Sequence, residues 1–199
     1  MADNWIRTDE AQDVTGSIRH TLATIRLIEQ DPLAWKWVVI ALHSALQGAC
    51  VCHLVTTAAP VGAVKEHNAE QWLAYFEASR ADPNARPPKT YLMELPELLK
   101  AVRKPHSAGD RSNATGVLIS DSEFYLLRRF HTDFRNQFVH FEPIGWSIEV
   151  SGIPEITKLI VRIIGDISEI GWAFRHQECT QREELRCTLK TLALMSWPT

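Results

Sequence analysis

The stretch HTDFRNQFVHFEP, residues 131–143, sets aromatic residues at helical spacing among His131, Arg135, Asn136 and His140. Polar groups of this kind are costly to bury without partners. Three of them suit phosphodiester chemistry. Arginine carries a permanent charge and offers a fork of donors to phosphate oxygens. Histidine can take a proton from a ribose 2'-hydroxyl or return one to the leaving oxygen. Asparagine can orient either group or bind the phosphate itself. No metal ion is needed for such a reaction, and no carboxylate cluster in the sequence suggests one.

A helical wheel at about 100° per residue, with Arg128 as origin, puts Arg135 at about −20°, Asn136 at about 80° and His140 at about 120°. Leu127, Phe130, Phe134, Phe138 and Phe141 form the core stripe on the other side. Arg135, Asn136 and His140 are therefore the candidate catalytic residues on the polar side, with Arg135 nearest the core edge. Arg128, a turn or two behind Arg135, and His131 are candidate substrate-binding residues, Arg128 extending a phosphate patch together with Arg129. On this wheel His131, like Asp133, is more a neighbour of the site than a member. One helix supplies one histidine at the site, whereas concerted acid–base cleavage works better with two. A two-fold dimer brings equivalent residues together, so the 121–140 helix is expected to pair with its symmetry mate.

The hexapeptide RNQFVH, Arg135 to His140, resembles the Arg-polar-x3-His version of the motif found in HEPN domains. These are small helical bundles common in toxin–antitoxin, abortive-infection and other anti-phage systems. The order of helices is similar too, with the motif helix late in the bundle and a long apolar helix after it. The resemblance covers residues 10 to 175, and the hexapeptide is its diagnostic part. It implies that Arg135 and His140 are the catalytic pair and that Asn136 is the polar residue after the arginine. It further implies a metal-independent endoribonuclease, without cofactor, whose site is shared across a homodimer, with RNA as substrate and an antitoxin protein as a partner. Other members of the family keep the fold without cleavage and bind RNA, nucleotide or a protein partner, and that is the alternative reading.

Helical periodicity dominates the elements that must position these residues. Helices are expected at 8–30, with Thr8 as N-cap, and at 32–57 after Asp31-Pro32. The second carries a stripe of small residues (Ala41, Ala45, Gly48, Ala49, Cys52) that permits close helix approach, together with His43 and His53, read as satisfied or partly exposed. Shorter helices follow at 68–79 and 95–104, and then a Gly/Ser/Asn-rich segment at about 104–119 reads as a long mobile loop. Its basic residues, with Lys100 and Arg103 ahead of it, could clamp RNA. Ser120-Asp121-Ser122-Glu123 fits a capping box that opens the motif helix. WSIEVSG alternates as a short strand does. A nearly all-apolar helix from Pro154 belongs at the centre of the core, and a last helix spans 180–195. The sum is one all-α domain over 1–199, five to seven helices with one short β element after the motif helix.

Composition agrees with a soluble globular protein: 45% hydrophobic and 23% charged residues. The net charge of −3 gives no global attraction to nucleic acid or anionic membrane, so any RNA contact must be local. The polar N-terminus lacks a secretory signal, and no run of apolar residues reaches membrane-spanning length. A cytoplasmic location without membrane association, with reduced cysteines, is expected. Cys50, Cys52, Cys179 and Cys187 lack zinc-site spacing and read as small buried hydrophobes.

Overall fold

The computed structural model describes residues 5–140 and 145–198, and among these the protein is all-helical. Helix α1 (Glu10–Ile25) is capped by Asp9, whose carboxylate accepts from the Gln12 N–H at 2.8 Å, so the cap lies one residue after Thr8. Turns, not helix, fill residues 26–30. The Asp31 side chain then accepts from the Leu33 N–H at 2.9 Å, and α2 runs Ala34–Leu54. Gly48 shows why the small-residue stripe is there: a Cβ at this position would meet Val14 Cγ2 at 2.9 Å. α1 can lie close along α2 only because that Cβ is missing.

α3 (Glu66–Ala81) is peripheral, burying only Asn68. α4 (Leu95–Val102) turns Leu95, Leu98, Leu99 and Val102 inward, with Pro96 in its first turn. The motif helix α5 begins at Asp121 behind the expected capping box. The Glu123 N–H bonds the Ser120 hydroxyl, and the Ser120 N–H bonds the Glu123 carboxylate. It continues as α-helix to Arg129, as a π-helical segment over Phe130–Arg135, and as a last α turn over Asn136–Val139. α6 (Ile153–Ile170) is the expected central helix, with Ile153, Ile160, Ile163, Ile164 and Ile167 fully buried. It stops at Gly171, whose φ of 88° suits a left-handed cap. α7 (Cys179–Ala193) closes the bundle through Leu185, Leu189 and Leu192.

Three expectations change. Residues 145–150 form no strand, and among the described residues the only bridge joins Val64 and Leu92. An alternating sequence becomes a strand only where an edge is free to pair with it. Here Trp146 packs edge-on against Phe138, with ring centres 5.1 Å apart, and Val150 packs on the core. Cys50 and Cys52 are buried, but Cys179 and Cys187 are exposed on α7. The 104–119 segment is tied down along its length. The Gly109 N–H bonds His53 O at 2.8 Å, the Ala108 N–H bonds the Asn113 side chain, and Val117 N–H bonds Val102 O. α2 is long and apolar enough to cross a membrane, with 72% of that window buried inside the protein, as for a core helix of a bundle.

Candidate functional site

Leu127 and Phe130, both fully buried, anchor α5 in the core, while Phe134 and Phe138 pack on its margin as the stripe requires. Phe141 lies outside the described residues. At its start α5 is tied to α6 by Arg162, which reaches Glu123 at 3.0 Å and Leu118 O at 2.8 Å. The Ser120 backbone N–H, the Ser120 hydroxyl and Arg162 hold the Glu123 carboxyl below its ordinary range.

The π-helical segment changes which groups meet. It carries i→i+5 bonding, and within it Phe130 and His131 are buried. His131 is 7% exposed, and its Nδ1 lies 2.9 Å from Nε2 of His43 on α2, itself 4% exposed. The rings stack with centres 5.1 Å apart. Beyond them, Glu94 Oε2 stands 4.0 Å from His131 Nε2. The network assigns the tautomers. The carboxylate favours a proton on His131 Nε2, which leaves Nδ1 to accept from the Nε2–H of His43. A second proton on either ring would be buried beside Arg135. Burial, then Arg135, then His131 push His43 down to about 3, and burial and Arg135 lower His131 while Glu94 opposes them.

Arg135 is half-buried and faces a cavity of about 590 Å3 with His43, Ser44, Gln47 and Val139 on its walls. Asp9, Glu10 and Asp13 from the start of α1 line the opposite side. Arg135 Nη1 donates to Asn136 Oδ1 at 3.0 Å. Asn136 lines a separate recess of about 230 Å3 with Thr132, Gln137, His140 and Trp146. His140, exposed, takes extended backbone angles (φ −106°, ψ 97°) as the helix ends. The three motif residues thus form a chain across two recesses: Arg135 on one, His140 on the other, Asn136 joining them.

Arg128 is exposed and sits over the Tyr125 ring at 5.2 Å. Arg129 pairs with Asp133 at 3.0 Å. His131, expected at the flank as a substrate contact, is instead a buried partner of His43. His43 and Glu94 were not legible as members of this cluster, because their contacts join helices far apart in sequence. A histidine among the buried apolar residues of α2 is the signal that marks His43. His53 shows how little that signal discriminates. It lies on the same helix and is satisfied at Nε2 by the Ser107 hydroxyl at 2.9 Å. That hydroxyl donates to Val102 O, so the His53 Nε2–H is the donor, and burial pushes the ring down to about 4. Among the described residues no group of three or more His, Cys, Asp or Glu is placed to hold a metal ion. Comparison of the chain with protein-family models, with curated proteins and with solved structures finds no match.

Proposed function

We propose that the protein is a metal-independent endoribonuclease of HEPN type that cleaves single-stranded or loop RNA as a homodimer. The observation that carries the reading is the continuity of the three motif side chains, Arg135 bonded to Asn136 and Asn136 sharing an open recess with His140. Apart from that bond, the guanidinium has no hydrogen-bond or ion-pair partner among the described residues, which leaves donors for a phosphate. His140 acts as base or acid on the 2'-hydroxyl or the leaving oxygen. Attack of that hydroxyl oxygen on the adjacent phosphorus breaks the bond to the 5'-oxygen, leaving a cyclic phosphate and a 5'-hydroxyl. Arg135 binds the phosphate and stabilises the charge developing on it, and Asn136 orients. Exposed Tyr125, Leu126, Val139 and Trp146 on or beside this helix suit burial against a second copy. The two-fold axis then brings a second His140 to the site. A toxin or anti-phage role, with an antitoxin partner, rests on the motif resemblance.

The placement of Arg135 and His140 on different recesses favours a second reading, a non-catalytic helical module that binds RNA, nucleotide or a protein partner. Purified protein incubated with RNA in EDTA separates the two. Cleavage with cyclic-phosphate ends, lost in both His140→Ala and Arg135→Ala, supports the nuclease. RNA binding without cleavage, unchanged in His140→Ala, supports the module.

A further inference from the structure

A second cavity, about 630 Å3, lies between the end of α2, Trp72 of α3 and the 173–177 turn after α6. Its walls are largely apolar, including Val51, Val55, Pro60, Leu92 and Ala173. Polar groups from about half of the lining residues also converge on it. Two of them are anomalous. Gln177 is 7% exposed, and its Oε1 is buried with no hydrogen-bond partner; the indole Nε1–H of Trp72 is likewise buried and unpaired. Among the described residues only one other buried side-chain nitrogen or oxygen is unpaired, His53 Nδ1. Orphaned buried donors and acceptors are rare because each forfeits its hydration. Both residues line this one cavity, so a group bound there, with the side chains turned toward it, supplies the missing partners.

We infer that this cavity is a binding site for a small neutral ring bearing a carboxamide or lactam edge. Such an edge offers a carbonyl oxygen to the Trp72 N–H and an adjacent N–H to Gln177 Oε1, and its ring face meets the apolar walls. Both protein atoms are closed off from water, so the ligand reaches them by a turn of the Gln177 amide and the Trp72 indole. Charge argues for neutrality. Asp9 and Glu10 line this cavity and oppose an anion, whereas the guanidinium of Arg175, also on the wall, sits over the Trp172 ring, 3.6 Å from its centroid, and donates to Trp172 O. The cavity shares Asp9, Glu10, Val51 and Leu92 with the one Arg135 faces, but Arg135, Asn136 and His140 do not line it, and the inference does not depend on RNA cleavage.

The test follows the tryptophan indole N–H resonances, with Trp72→Phe assigning the relevant one, as nicotinamide, uridine and uridine 5'-monophosphate are added to millimolar concentration. The Trp72 resonance should shift saturably with nicotinamide or uridine, and the phosphorylated nucleoside should bind more weakly than uridine. Gln177→Leu should weaken binding roughly tenfold or more, the cost of leaving the ligand donor unpaired. The same substitution should raise the melting temperature of the unliganded protein, because it removes an orphaned acceptor. Arg135→Ala should change neither readout, so loss of the nuclease reading leaves this result standing. A Trp72 resonance that does not move with either neutral probe overturns the inference, as does binding that survives Gln177→Leu unchanged.

Discussion

Acidification from pH 7 to pH 5 should destabilise the protein through its buried histidines. His43 stands at about 3 and His53 at about 4 in the folded chain, against roughly 6.5 when unfolded. A depressed histidine binds its proton more readily in the unfolded chain. Its contribution is therefore present above the unfolded pKa and is lost as pH falls from there toward the folded value. One pH unit inside that window is worth about 1.4 kcal/mol per group. Down to pH 5 each of the two loses about 2 kcal/mol. Together they remove about 4 kcal/mol from a stability of roughly 5–15 kcal/mol. His131, also lowered, acts in the same direction. The carboxyls of Asp110, Glu123 and Asp133 are held low, so their stabilisation is lost only nearer pH 4 and below. Urea unfolding at intervals from pH 7 to pH 5 measures the effect, and His43→Gln should flatten the slope by about one proton's worth. Stability that stays level across this range, or a His43→Gln slope equal to that of the parent, refutes the argument.

Three further outcomes concern the framework of the motif helix and its neighbours. Gly109→Ala would drive a Cβ to 2.1 Å from Val55 O and 2.4 Å from Trp172 Nε1; it should cost about 2 kcal/mol or more and lower the melting temperature by several degrees. Ser120→Ala removes the hydroxyl half of the capping box and should cost about 1 kcal/mol by chemical denaturation, with helix content by circular dichroism nearly unchanged. Leu127→Ala empties a fully buried position and should cost about 3 kcal/mol, a loss that Leu127→Met largely avoids in the same assay.

The fold was legible where local chemistry decides it. Pro96, the Ser120–Glu123 box and the isoleucine-rich run from Ile153 mark their helices unaided, because caps, prolines and apolar period act within a few residues. The strand expected at 146–150 was not, since pairing depends on an edge elsewhere in the chain. For the same reason the loop after α4 read as mobile: its anchors are His53 O and Val102 O, and its composition carries no sign of them.

At the candidate site, two expectations failed, and neither failure lay in the wheel's angles. The wheel rightly set Arg135 at the core edge and His140 toward solvent, about 140° apart at 100° per residue, too far to share one recess. Grouping them as one polar strip overlooked that angle, and the two recesses follow from it. His131 was misjudged for a different reason. The wheel set it close to Arg135 on the core side, but nothing in residues 121–140 reveals that His43 awaits it across the helix interface. A buried imidazole is affordable only with a partner, and the π-helical segment brings one to 2.9 Å. Arg135 therefore projects from a segment held by a neutral histidine pair. If the motif does cleave RNA, His43 and His131 act on it through the position of that guanidinium, and His131→Phe should lower cleavage while leaving His140 in place. A cleavage rate untouched by His131→Phe would separate the pair from the chemistry and leave it a purely structural contact.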